Sequence, residues 1–460
     1  MLVDAGKVSW VVKRDEVVHA KGKGEIVTYW VNPGSSSSGL GTSSMASDEG
    51  EPKADKRNLP KARKTFPQAD LQEEEAKRER LIQWNVELLQ NLLGTILANR
   101  GKGNNDTNFD LSNTVKYGKS MSNPMLELEE SISLPKFDPS KAENDTAAKQ
   151  LSPKLLSQLR GYVKAISAMY SGNAFHNFEH ASHACMSVNK LLHRIVSPNS
   201  HTTIQSDKET VALNLHFDTF GISSDPLTQF ALVFATLVHD VDHAGVSNLQ
   251  LIKEQADIAT IYNNRSVAEQ NSIDLAWELL MEPTYEELHA SLFASEEDFR
   301  RFRSLVVNLV IATDIFDPDL KASRNQRWEK AFSMKESTDL DLKATIVLEH
   351  IIQASDVAHT MQHWHVYQKW NEKLFLEMYT AFKAGRGDKD PSGGWFLGEL
   401  WFYDNYVIPL GKKLKECGVF GVSSDEYLNY ALENRKEWEL KGRGLVQSWV
   451  ERYSERFEHQ

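Results

Sequence analysis

His176, His180, His239, Asp240, His243 and Asp356 are the residues whose types and spacing could do chemistry together. In Phe175-His176-Asn177-Phe178-Glu179-His180 the two histidines are four residues apart. On a helix such a pair shares one face about a turn apart, so one can bind a metal while the other meets a substrate. Val238-His239-Asp240-Val241-Asp242-His243 repeats the step and adds a carboxylate beside its first histidine, a group able to bridge two cations. Asp356 ends the largely apolar helical run from Leu348. An unpaired carboxylate is costly to bury there, and a metal removes that cost. A lone helical histidine is more often core or surface than ligand. Two such pairs, one with an adjacent Asp, point instead to a bridged pair of metals and to metal-assisted hydrolysis of a phosphoester.

With these residues the chain resembles the class I cyclic nucleotide phosphodiesterases, whose signature runs Y-H-N-x-x-H-A-x-D and then H-D-x-x-H-P-G-x-x-N. The resemblance continues through Tyr262 to Val267 with Glu269, through Ala312-Thr313-Asp314, Tyr367, Trp370, Phe402, Asp404 and Pro409, and closes at Asn434-Arg435 and Trp438. It covers residues 120–446. It implies an all-α fold, a compact multi-helix catalytic domain of the HD type. It implies zinc held by His180, His239, Asp240 and Asp356, with Asp240 also reaching a magnesium or manganese ion. His176 would be the general acid that protonates the departing O3′, and His243 its catalytic partner. The product would be the 5′-monophosphate. The base would lie between Phe402 and Leu374, near His359 and Glu399.

The departures carry information too. Phe175 replaces a Tyr, His183 an Asp three residues after the first metal histidine, and Ala244 a Pro, none of which removes a metal ligand. His359 stands where the family usually has an Asn, and Glu399 where it has the Gln that reads the purine edge. An ionised carboxylate only accepts hydrogen bonds. Guanine offers N1–H and a 2-amino group side by side, so Glu399 predicts that cGMP is favoured over cAMP. Two other readings use parts of the same pattern. An HD-type nucleotide phosphohydrolase has similar ligands but no need of the Phe402 region or of His176-Asn177. A non-catalytic cyclic nucleotide sensor regulating a fused cyclase has no need of a complete ligand set.

The elements that must position these residues are legible at low resolution. Residues 1–32, with Trp10-Val11-Val12-Lys13-Arg14 and Lys21-Gly22-Lys23-Gly24 followed by Thr28-Tyr29-Trp30, resemble the C-terminal end of a class III nucleotide cyclase, a small β-hairpin remnant. The resemblance implies an upstream cyclase in the parent chain. The fragment lacks that domain's metal-binding aspartates and should cyclise nothing. Residues 33–69 are Gly/Ser- and charge-rich, a disordered linker by composition. Over residues 70–100, Ile82, Val86, Leu89, Leu93 and Ile96 form one apolar helical face, which fits either a homodimer through this helix or packing onto the chain's own catalytic domain. Ser152 with Pro153 predicts a helix start. The stretch from Ser197 to Asp225 reads as a surface excursion, and Gly385 to Gly394 falls where the family has a loop near the pocket mouth.

Composition narrows the partners. A formal net charge of −12, with no basic stripe, argues against nucleic acid. Two cysteines, Cys185 and Cys417, make no disulfide framework and imply reduced thiols in the cytoplasm. No apolar run approaches the ~20 residues of a membrane span, and the cyclase resemblance leaves room for a membrane anchor upstream in the parent protein.

Overall fold

The computed structural model describes residues 11–13, 18–20, 24–26, 29–31, 68–100, 123–139, 148–196, 208–333, 339–421 and 424–458. The chain divides into two compact units, residues 1–65 and 66–460. In the first, four strands are described: β1 (Val11–Lys13), β2 (Val18–Ala20), β3 (Gly24–Ile26) and β4 (Tyr29–Val31). β2 pairs antiparallel with β3, and β1 antiparallel with β4, so one pair is nested within the other in sequence. The linker expected over residues 33–69 lies outside the described residues up to residue 67.

Every regular element described in the second unit is helical. The first half runs α1 (Gln68–Arg100), α2 (Pro153–Met169), α3 (Phe178–Leu192), α4 (Lys208–Asp218), α5 (Pro226–Val238), α6 (Asn248–Lys253), α7 (Asp257–Ile261) and α8 (Val267–Leu280). The second half runs α9 (Glu286–Leu292), α10 (Glu296–Ile311), α11 (Pro318–Trp328), α12 (Leu340–Asp356), α13 (Trp364–Lys383), α14 (Trp395–Phe402), α15 (Ile408–Glu416) and α16 (Glu426–Glu458).

α5 is the central rod. Its sequence is apolar on all sides, the pattern of a helix surrounded by others, and Leu227, Phe230 to Val238 and Thr228 are all buried. It packs against α1, α3 and α10, while α12 packs against α3. The C-terminal ends of α5 and α12 therefore meet the start of α3, which brings His239, Asp356 and His180 together from far apart in sequence. Proline occupies the first turn of α2, α5 and α11, where its missing N–H costs nothing. Ser152 caps α2 as expected, its hydroxyl accepting from the Leu155 amide at 3.1 Å.

The apolar stripe of α1 is covered by its own domain. Ile82, Val86, Leu89, Leu93 and Ile96 are at most 4% exposed, packed toward α2, α3, α5 and α9. Self-pairing through that stripe is therefore withdrawn in favour of the intramolecular alternative. Polar contacts fix the register: Asn85 Nδ2 donates to Ser182 Oγ at 2.9 Å inside the core, and Lys77 pairs with Glu179 at 2.8 Å. The presumed surface excursion also contains order. α4 falls within it, and His216 stacks on Phe137 with ring centroids 4.4 Å apart.

Leu93, fully buried, should lose roughly 2–5 kcal/mol of stability on replacement by Ala. Chemical denaturation would measure that loss, and sedimentation of the same variant should show an unchanged mass, because the stripe is covered by the chain's own helices.

Candidate active site

The two histidine pairs do not sit on helices as their spacing predicted. His176 precedes α3, and Asn177 between the pair is the N-cap, with extended backbone and its side-chain oxygen accepting from the His180 amide at 3.0 Å. An Asn that satisfies an orphan amide of the first turn is more stable as a cap than within the helix. α5 likewise ends at Val238, and Asp242 has φ 60°, so residues 239–243 form a turn. That left-handed residue is held by the Met169 carbonyl, which accepts from its amide at 3.2 Å, and by Asn271, which donates to its carboxylate at 3.3 Å. Asp356, the last residue of α12, sits where the sequence put it.

Four side chains converge at this junction. His180 Nε2 lies 3.0 Å from Asp356 Oδ1 and 3.5 Å from Asp240 Oδ2. His239 Nε2 lies 3.1 Å from Asp240 Oδ2 and 3.5 Å from Asp356 Oδ1. The Thr236 carbonyl, 2.8 Å from His239 Nδ1, holds the proton on that nitrogen and turns Nε2 toward the acids. Yet His239 Nε2 and Asp240 Oδ2 are both buried without a hydrogen bond. Such atoms are costly to strand, and their common focus suits a cation. Asp240 is held well below the usual carboxylate range: burial opposes its ionisation, and the charges of His239, His176 and His243 outweigh it. Two imidazoles and two carboxylates are a donor set for zinc or a similar divalent ion.

Beside this cluster stands a second one with a member that the sequence reading missed. Glu377 on α13 accepts from His176 Nδ1 at 2.5 Å and from the Phe175 and His176 amides at 2.7 and 2.9 Å. Burial works against a charged His176, but the Glu377 hydrogen bond and the charges of Asp240, Glu377 and Asp356 lift it to about 9. His243 lies against it, ring centroids 3.9 Å apart, and is pushed down to about 4 by burial and by the His176 charge. Asn173 donates to the carbonyls of both histidines, at 3.0 and 2.7 Å. Gly245, at φ 70°, lets the chain turn here, since a Cβ would stand 3.0 Å from Asn173 Oδ1. The visible signal for Glu377 was an acid inside the apolar run Phe375 to Tyr379, the same anomaly that marked Asp356.

Glu269 feels the Asp240 charge and that of a further acid, Asp314. Burial and the Asp314 charge push Glu269 up to about 8. Asn248 donates to Glu269 at 2.9 Å, and the Ser266 hydroxyl to Asp314 at 2.8 Å. On the opposite side His183 is pushed down to about 4 by burial and the His180 charge. Its Nε2–H donates to Gln362 at 3.2 Å and its ring stacks on Trp370.

The four residues expected around a base fall on α13, α14 and the turn after α12. His359 is buried and pushed down to about 3, first by burial. Its ring lies parallel to Tyr367, and the Tyr367 hydroxyl donates to Glu399 Oε2 at 2.8 Å. Asn371 donates to the same oxygen at 2.5 Å. Burial pushes Glu399 up to about 7, which weakens the premise of a carboxylate that is always ionised. Leu374 and Phe402 are half-buried on α13 and α14, and Phe402 stacks on Tyr406 with centroids 5.2 Å apart.

The family described as 3′5′-cyclic nucleotide phosphodiesterase matches residues 175–391. Over those residues the chain is similar to the 3′,5′-cyclic nucleotide phosphodiesterases, enzymes of the hydrolase class. The mouse dual specificity calcium/calmodulin-dependent 3′,5′-cyclic nucleotide phosphodiesterase 1C is 26% identical over 241 residues, 52% of this chain and 29% of that protein. The probable 3′,5′-cyclic-AMP phosphodiesterase pde-4 of Caenorhabditis elegans is 28% identical over 257 residues, 55% of this chain and 33% of that protein. The matched stretch is thus a third or less of either relative. The phosphodiesterase domain of the RhoPDE fusion protein from the choanoflagellate Salpingoeca rosetta shares the fold, with a TM-score of 0.50 at 21% identity over 65% of this chain and 86% of that one.

Replacing Glu377 by Gln removes the partner that keeps the His176 proton. A reaction needing His176 in its charged form loses rate as pH rises through that group's pKa, so the alkaline limb of kcat/KM should move down from about 9. The metal content of the variant, measured by elemental analysis, should stay unchanged.

Proposed function

We propose that this chain hydrolyses a 3′,5′-cyclic nucleotide to the 5′-monophosphate and so ends a cyclic nucleotide signal. The observation that carries the reading is the buried focus of His180, His239, Asp240 and Asp356 beside an imidazole that Glu377 keeps charged. Those four residues would hold zinc, and Asp240, with Glu269 and Asp314 behind it, would face magnesium or manganese. When bound, two such ions neutralise phosphate charge and acidify water at neutral pH.

The protein's own groups do the rest. The Nδ1 bond to Glu377 leaves His176 Nε2 as the nitrogen that presents a proton to the departing O3′, a contribution of about 10²–10⁴-fold. His243, kept neutral against it, holds the His176 ring without competing for that proton. Phe402 and Leu374 would hold the base flat, with His359 and Glu399 at its edge and cGMP favoured over cAMP when Glu399 is ionised. Residues 1–32 are read as the end of a cyclase domain, which would put synthesis and destruction of one messenger in a single cytoplasmic parent chain. Among the described residues no helix is long and apolar enough to cross a membrane.

Purified protein incubated with cAMP, cGMP and nucleoside monophosphates in Mg²⁺ tests the reading directly: the cyclic nucleotides should be consumed and the monophosphates spared. His180→Ala, His239→Ala, Asp240→Asn and Asp356→Ala should each abolish turnover and lower bound metal. His176→Ala should keep the metal and lose about 10²–10⁴-fold in kcat. Full activity in Asp240→Asn would remove the metal-centred reading.

A further inference from the structure

We propose that Glu399 selects the purine by its protonation state, so that the choice of this domain between cGMP and cAMP changes with pH. The inference rests on the cyclic nucleotide reading above and deepens it.

The geometry sets which oxygen can meet a base. Tyr367 and Asn371 both donate to Glu399 Oε2. Asn371 is itself held by Trp395 Nε1, which donates to its Oδ1 at 2.9 Å. A carboxylate oxygen offers two lone-pair sites, so Oε2 is filled and Oε1 is left. Guanine therefore cannot engage both oxygens through N1–H and its 2-amino group unless Tyr367 or Asn371 turns away. A chain of rings ties Glu399 to the metal residues: Tyr367 lies parallel to His359, His359 is 5.5 Å from Phe175, and Phe175 is 4.5 Å from His180.

No charge stands against Glu399 from the elements packed around it. α13 contributes Tyr367 and Asn371, and the π-helical segment Tyr403–Val407 contributes Tyr403. Burial pushes both phenols well above their ordinary range. The turn Ala358–Met361 brings His359, which burial keeps neutral. α16 brings Trp438 and Asn434, while its Arg435 is committed to Asp404 and Glu439. Among the described residues no lysine or arginine pairs with Glu399, and burial with only two neutral donors leaves it titrating at about 7.

The two states present different groups at Oε1. Ionised, it accepts only, which suits guanine N1–H. The adenine amino group is flanked by ring nitrogens whose lone pairs repel an anion. Protonated, Oε1–H donates to a ring nitrogen of adenine or to O6 of guanine and serves both. A glutamine here would offer a donor and an acceptor at every pH.

The test is the ratio of kcat/KM for cGMP over cAMP on the full chain, from about pH 6 to about pH 8.5. Both substrates share the metal residues and His176, so those titrations cancel in the ratio. It should rise about tenfold with pH, with a midpoint near 7, and Glu399→Gln should flatten it. A constant wild-type ratio, or the same slope in Glu399→Gln, would overturn the proposal. Calorimetric binding of each nucleotide to chelator-treated protein follows the same ratio without turnover. A pH-dependent binding ratio with no hydrolysis would sink the hydrolase reading alone, and hydrolysis with a flat ratio would sink this one alone.

Discussion

The structure depends on one electrostatic constraint, the burial of Asp240 and Asp356 against His180 and His239 at the junction of three helices. Removing one member of a buried charge pair costs roughly 3–5 kcal/mol, so these four groups constrain one another wherever the helices place them. The helices in turn can meet there because α5 is apolar on every side and lets α3, α1 and α10 close around it. A cation at that focus would satisfy His239 Nε2 and Asp240 Oδ2, which are buried without a hydrogen-bond partner. Fold and chemistry thus share one solution to the same desolvation problem.

Glu377 extends that solution by one step. It fixes the backbone before α3 through two amides and fixes the His176 ring through Nδ1, so a single carboxylate sets both the position and the charge of that imidazole. The neighbouring His243 is held neutral first by burial and then because two cationic rings 3.9 Å apart would repel. One charged and one neutral histidine is the arrangement a directed proton transfer needs.

How much of this was legible depends on whether the information was local. Residue type and spacing singled out His176, His180, His239, Asp240 and Asp356, which the fold brings together, but put the two pairs on helices, where an Asn cap and a left-handed Asp242 put turns instead. Spacing of four fits a helix, and it also fits a tight turn whose ends return to one place. Glu377 escaped because its partner lies some two hundred residues earlier, and only its oddity in an apolar run showed. The stripe on α1 was plain, but periodicity does not name a partner. The covering surface comes from α2, α3, α5 and α9, which no local pattern connects to it.

Charge is distributed unequally along the site, and that asymmetry gives Glu399 its leverage. At the metal end Asp240, Asp356, Glu377 and the charged His176 set a strong local field. Around Glu399 burial keeps His183 and His359 neutral, and the Tyr367 and Tyr403 phenols stay protonated. An amide there would leave that end without an ionisable carboxyl group. Glu399, a carboxyl group that no lysine or arginine pairs with among the described residues, adds a titration away from that field. Glu399 is therefore a carboxyl group whose state can change without disturbing the charges gathered around Asp240 and His176.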